Sequence, residues 1–240
     1  KVDSGNLTLN DSKGGGTITG GTTGVYLQNG SSFTMEGGTI SGNTTGSNGG
    51  GVYVGKDSTF NMKDGEISGN TVKDYMYKDK HYEADGGGVL VEGGTFNMSG
   101  GTITNNSAIG GNGGGVAVKD YYDSGKFAGH STFNMTGGTI SNNHADTGNP
   151  NSQNEPIGQG GGVYVGHGAG FNLNGGTISG NTADEGGGIF TEGADSPRYY
   201  DGKVQDWSIK LPNGTFNMSD GTVLGNTANI GEGGGIYIQG

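Results

Sequence analysis

Apolar and polar residues alternate along this chain in short runs divided by glycine. Three kinds of run recur, typified by Phe60-Asn61-Met62, Thr39-Ile40-Ser41 and Gly51-Val52-Tyr53-Val54. Alternation with a period of two puts Phe60, Met62, Ile40, Val52 and Val54 on one side and Asn61, Thr39, Ser41 and Tyr53 on the other. Glycine pairs such as Gly37-Gly38 and Gly49-Gly50 mark turns between the runs. No run is long enough for a helix, and glycine would break one.

The runs belong to a repeat. It is fullest from Phe133 to Val165, recurs at Phe33, Phe60, Phe96, Phe171 and Phe216, and is weaker from Leu7, giving seven copies. A repeat of this length signifies a solenoid. The pattern predicts an all-β, right-handed, single-stranded parallel β-helix with three short strands per coil and about seven coils, one domain over residues 1–240. Equivalent strands would pair coil on coil at about 4.8 Å, making a rod on the order of 34 Å long. About five inward apolar residues per coil, each worth roughly 1.5–3 kcal/mol when buried, would give a continuous core. The pattern is cut off at Leu7-Thr8-Leu9 and at Ile236-Tyr237-Ile238 without the atypical units that cap solenoids, so the chain reads as an excerpt of a longer one.

One column is polar. Asn43, Asn70, Asn106, Asn143, Asn181 and Asn226 each follow the Ile or Val of the second run by three residues. Stacked in register they predict an amide ladder, a structural feature rather than a ligand site. The first coil departs, with Gly21 at this position and only Gly24 in place of a glycine triplet.

Gly114-Gly115-Val116 and Gly187-Gly188-Ile189, alternating with Ile103-Thr104-Asn105-Asn106 and Ile178-Ser179-Gly180-Asn181, resemble the paired short motifs of the chlamydial polymorphic membrane protein repeats. Glycine replaces the alanine of the first motif, and Ile or Val replaces the phenylalanine of the second. The Phe-Asn-Met-x-Gly-Gly-Thr-Ile run is similar to repeats of adhesin-like surface proteins of gut bacteria and archaea. The resemblance spans essentially every coil. It implies a β-helical architecture displayed outside a bacterial cell, and it carries over no catalytic residue.

Where the repeat is interrupted, function is expected. The repeat's own phenylalanines, Phe33, Phe60, Phe96, Phe133, Phe171 and Phe216, are 27, 36, 37, 38 and 45 residues apart. Insertions at 73–85 and 146–159 precede the third run, and insertions at 119–132 and 192–215 follow it. Stacking would align them as two walls beside the outer face of the third-run sheet, and solenoids gather insertions on a binding face. The insertions hold Tyr75, Tyr77, Tyr82, Tyr121, Tyr122, Tyr199 and Tyr200, which are seven of the chain's eleven tyrosines, with the only tryptophan, Trp207, and the only arginine, Arg198. Recognition surfaces use aromatic side chains heavily. Covering the flanks of the rod is the plainer role for any one of them. The floor between the walls would be Leu90, Ala117, Tyr164 and Phe190, with Glu92, Lys119 and Glu192 two positions on. Cross-strand stacking is the plainer role for these.

Composition narrows the partners. The net charge of −11 argues against nucleic acid and anionic membrane surfaces. Zero cysteines exclude disulfides and thiolate metal sites. No apolar run is long enough to span a bilayer. His81, His130, His144 and His167 lack metal-ligand spacing, and no cofactor or metal motif is present. A lyase or hydrolase acting on polysaccharide is the enzyme alternative, but the basic inventory is thin. Glu92 and Glu192 would stand about 14 Å apart at strand spacing, too far for a carboxylate pair. Threonine and serine pairs on the second run, such as Thr102/Thr104 and Thr139/Ser141, form an array like that of ice-binding faces, interrupted at Glu66 and Leu224. The expectation is a non-catalytic, monomeric adhesin segment on a bacterial cell surface, whose loops bind a glycan or protein of a host or neighbouring cell.

Overall fold

The structure is a computed structural model. It describes residues 1–12, 14–47, 49–77, 80–82, 84–123, 126–148, 158–194, 199–200, 203–204 and 212–239, with the backbone alone for 75–77, 80–82, 199–200 and 203–204. Among the described residues the chain is all-β and without helix, built from long parallel sheets in an arrangement consistent with a parallel β-helix. Equivalent residues of successive copies pair directly: Phe33 with Phe60, Phe60 with Phe96, Phe96 with Phe133, and Phe133 with Phe171.

Three parallel sheets carry the stack. An eight-stranded sheet holds the third run, from Val2–Asp3 through Val25–Gln28, Val52–Val54, Val89–Glu92, Val116–Lys119, Val163–Val165 and Ile189–Thr191 to Ile236–Ile238. A second sheet holds the first and second runs together. The pattern predicts separate strands for these two runs, as found in Thr95–Met98 with Thr102–Thr104 and in Thr132–Met135 with Thr139–Ser141, yet Ser32–Ser41, Thr59–Ser68, Gly170–Ser179 and Thr215–Leu224 are each one strand of ten residues. In Ser32–Ser41 the pair Gly37-Gly38 is a bulge rather than a corner, with the register shifting between Met35 and Glu36 and again before Thr39.

The third side is a six-stranded sheet that the pattern does not reveal. It comprises Thr44–Thr45, Thr71–Lys73, Ser107–Ile109, His144–Asp146, Thr182–Ala183 and Thr227–Ala228. Its strands are too short to show alternation.

The core is a set of columns. Phe33, Phe60, Phe96, Phe133 and Phe171 are fully buried and stacked ring on ring, 4.9 Å apart for the first pair and 4.7 Å for the rest. Columns of Met or Leu, of Ile, and of Val fill the remaining interior. Each burial is worth about 1.5–3 kcal/mol. Val72, Ala84, Ala108, Ala145 and Ala183 form a small separate cluster beside the six-stranded sheet.

The asparagine column turns the chain between the second sheet and the six-stranded sheet. Each Nδ2 donates to Oδ1 of the next copy, from Asn43 to Asn70 and so on to Asn226, at 2.9–3.0 Å. The same Oδ1 accepts the preceding asparagine's backbone N–H, and the second Nδ2 hydrogen goes to a carbonyl such as Ile40 O or Ile67 O. In the departing first copy, Gly21 N–H donates to Asn43 Oδ1. A second amide ladder runs outside, through Asn61, Asn97, Asn134, Asn172 and Asn217 at 2.9–3.0 Å. The alternation places Asn61 outward but does not foretell this ladder.

The triplets need glycine because neighbouring copies meet there backbone to backbone. A Cβ on Gly87 would lie 2.5 Å from Gly114 O and 2.6 Å from Ser107 O. A Cβ on Gly88 would strike Ile103 Cγ2 at 2.9 Å and Asn106 Nδ2 at 3.1 Å. The amide ladder thus occupies the room that an alanine at the third position would need.

Candidate functional site

The outward residues of the eight-stranded sheet stand in one column, Tyr26, Tyr53, Leu90, Ala117, Tyr164, Phe190 and Tyr237, in strict register. The expected open floor is not there. Leu90, Ala117 and Phe190 have no exposed surface and Tyr164 is 5% exposed. These four form an apolar cluster outside the main core, with Tyr53 and Tyr237 packed against it.

The first glycine of each triplet is one cause of this cover. Gly86 and Gly113 have φ of 74° and 68°, and a Cβ there would lie 2.8 Å from Leu90 Cα and 2.7 Å from Ala117 Cβ. The chain entering each triplet therefore folds back over the outward side chain, so the floor is a second packing layer.

The charged residues of the floor are engaged in that layer. Tyr53 donates its phenol to Glu92 Oε2 at 2.7 Å, and Tyr164 donates to Glu192 Oε2 at 2.9 Å. Burial, then the Glu92 charge, pushes the Tyr53 phenol far above its ordinary range. Glu192 also accepts the His167 backbone N–H, and its Oε1 lies 3.1 Å from Nε2 of that fully buried histidine. Lys119 makes an ion pair with Asp85, whose side chain is wholly buried.

The insertions lie in the connections at the two ends of strands of the eight-stranded sheet. Tyr75–Tyr77 pairs antiparallel with Lys80–Tyr82, setting Tyr75 opposite Tyr82 and Tyr77 opposite Lys80. Tyr199–Tyr200 pairs with Lys203–Val204 in the same way. The side chains of these tyrosines, and the whole of Arg198 and Trp207, lie outside the described residues.

The insertion at 119–132 is described best. Tyr121–Asp123 pairs antiparallel with Lys126–Gly129. Tyr121 packs on the preceding copy, where a Cβ on Gly93 would lie 2.7 Å from Tyr121 Cβ. Tyr122 meets Phe127 edge to face at 6.0 Å, and Phe127 lies 4.5 Å from the His130 ring. Phe127 is 51% exposed. Sequence reasoning misses Phe127, although its place among the aromatic residues of an insertion is a usable signal. Buried Asp120 closes the root of the hairpin, accepting Ser131 N–H at 2.9 Å and facing His130 Nδ1 at 3.1 Å.

A polar constellation lies on the other flank, on the six-stranded sheet. His144 Nδ1 is 2.7 Å from Thr182 Oγ1, and Nε2 is 3.0 Å from Asp146 Oδ2. The Asp146 contact raises the His144 pKa, and the His144 contact lowers that of Asp146. Burial raises the pKa of Asp184, which accepts Gly158 N–H at 3.1 Å. Hydroxyl, imidazole and carboxylate in contact suggest nucleophilic chemistry, which also needs donors for an oxyanion. The backbone N–H groups of His144, Thr182 and Thr227 are all used in pairing successive copies. The cluster is better read as a clamp on the roots of the insertion at 146–159, since Asp146 also accepts Gly148 N–H.

Among the described residues no group of three or more acidic or histidine side chains could hold a metal ion. Comparison of the chain with known protein families, with curated proteins and with solved structures finds no match.

Proposed function

We propose that this chain is a non-catalytic segment of a bacterial cell-surface adhesin: a rigid, right-handed parallel β-helix of seven coils that spaces and presents loops for recognition. One observation carries this reading. Column residues stay in register from copy to copy, while the described antiparallel hairpins, in the insertions at 73–85, 119–132 and 192–215, lie in the connections before or after strands of the eight-stranded sheet. A scaffold held by stacked side chains and saturated amide ladders presents such loops with little entropy left to lose on binding. With the floor covered, contact with a glycan or protein falls to the insertions, through side chains such as Tyr122 and Phe127. The segment would act outside the cell, as a monomer and without a cofactor.

The test is a glycan array together with a pull-down from host-cell surface extract, using the intact chain and a variant with all four insertions replaced by short glycine turns. Circular dichroism and thermal melting establish that the trimmed rod still folds. Binding by the intact chain and not by the trimmed one is expected. Binding retained by a folded, trimmed rod would overturn the assignment to the loops.

A further inference from the structure

Lys119 and Asp85 are placed for more than an ion pair. Lys119 ends one strand of the eight-stranded sheet, and Asp85 opens the glycine triplet of the copy before it. The Asp85 side chain has no exposed surface and the Lys119 side chain is 24% exposed, with Nζ 2.5 Å from Asp85 Oδ2. The other carboxyl oxygen, Oδ1, accepts the Asn112 backbone N–H at 2.7 Å. Glu92, one strand over, is the register partner of Lys119. A primary amine and a buried carboxyl group are thus in contact, with a second carboxylate, the acceptor of the Tyr53 phenol, on the adjacent strand.

Burying two opposite charges costs desolvation that their attraction does not always return. The geometry points to a covalent outcome: Lys119 Nζ condenses with the Asp85 side chain to form an intramolecular isopeptide bond.

The step balances without an oxidant or an added reactant. Glu92 takes one proton from the Lys119 ammonium and passes it to Asp85 Oδ2, and the free amine attacks Cγ of the resulting neutral acid. The C–N bond forms and the Cγ–Oδ2 bond breaks. Oδ2 leaves as water, carrying the proton returned by Glu92 and a second from the amine nitrogen. Oδ1 stays as the amide carbonyl and keeps its bond from Asn112 N–H. The product replaces a buried ion pair by a neutral amide of the same reach. It ties the insertion that ends at Asp85 to the one that begins at Lys119, in a chain without cysteine.

Intact mass spectrometry of the denatured, purified chain tests this. The expected mass is one water below that of the sequence, with a tryptic fragment joining the segments that contain Asp85 and Lys119. Lys119→Arg and Asp85→Ala should each restore the full mass. Should either variant fail to fold, the joined fragment in the unaltered chain still decides. Glu92→Gln should slow the loss of water at least tenfold during incubation of freshly purified protein. A full mass in the unaltered chain would overturn the proposal. So would a water loss that survives Lys119→Arg, which would instead reflect cyclisation at Asp85-Gly86. An unchanged rate in Glu92→Gln would overturn the proton-transfer role of Glu92.

Discussion

The Tyr53 phenol reaches Glu92 in the next copy and donates to its carboxylate at 2.7 Å. The two residues are not register partners, for Tyr53 pairs with Leu90. The ring instead leans across Gly55, where a Cβ would lie 2.9 Å from Tyr53 Cε1. Val163-Tyr164-Val165-Gly166 repeats the text, and Tyr164 reaches Glu192 in the same manner. The glycine that follows each Val-Tyr-Val is therefore the gap through which a tyrosine meets the acid of the copy above.

Removing that hydroxyl leaves a half-buried carboxylate short of a donor. Tyr53→Phe should cost about 1–2 kcal/mol, in the range for hydrogen bonds to charged groups with partial solvent access. Urea unfolding of Tyr53→Phe, Glu92→Gln and the double variant would give the coupling between them. Additive losses would show that the contact contributes nothing of its own.

The two amide ladders should respond unequally. Asn106 is buried and takes part in both side-chain and backbone bonds with its neighbours, so Asn106→Ala strands several groups without water. A loss on the order of 3–5 kcal/mol is expected. Asn97 lies outside and half-buried, and Asn97→Ala should cost about 1 kcal/mol or less. Equal losses in chemical denaturation would contradict the view that the inner column, rather than any stacked amide, holds the corner.

That inner column is legible in the sequence, as are the stacked phenylalanines, because each occupies one fixed offset in every copy. Two things are not. Thr182–Ala183 and its equivalents contribute a single buried residue to the small cluster beside the six-stranded sheet, so that sheet has no alternation to read. The cover over Leu90 and Ala117 depends on the positive φ of Gly86 and Gly113, and composition does not distinguish a turn that leads away from a sheet from one that folds back onto it. The aromatic insertions are plain to see. The fate of the charges between them is not, since Lys119 pairs with Asp85, a residue seven positions before Glu92 and one copy away.

Glycines of similar appearance should differ sharply. Gly69 has φ of 60° and open space around its Cβ position, so Gly69→Ala carries only backbone strain, about 1 kcal/mol. A Cβ on Gly87 would meet backbone carbonyls of the next copy at 2.5 Å and 2.6 Å, and these cannot rotate away. Gly87→Ala should therefore force adjacent copies apart and lower stability by more than about 3 kcal/mol. Thermal melting of the two variants side by side checks this, and a mild Gly87→Ala would mean that the stack can open there at little cost.

The clamp of His144, Asp146 and Asp184 gives stability a dependence on pH. Asp146 bonding raises the folded-state pKa of His144 above 6.5. A raised value means that the stabilisation is fully present below the unfolded pKa and is lost as pH rises through the folded one. Asp184, raised by burial above 3.8, acts in the same direction in a more acidic window. Asp146 is lowered, so its contribution is present above the unfolded value of 3.8 and is lost as pH falls through its folded pKa. Of the three, only His144 starts from an ordinary value near neutrality. The stability advantage of the unaltered chain over His144→Gln should shrink over the interval in which pH rises above about 6.5. Urea midpoints of both proteins across that interval measure it. A constant difference would mean that His144 stays neutral throughout and holds Asp146 by a hydrogen bond without charge.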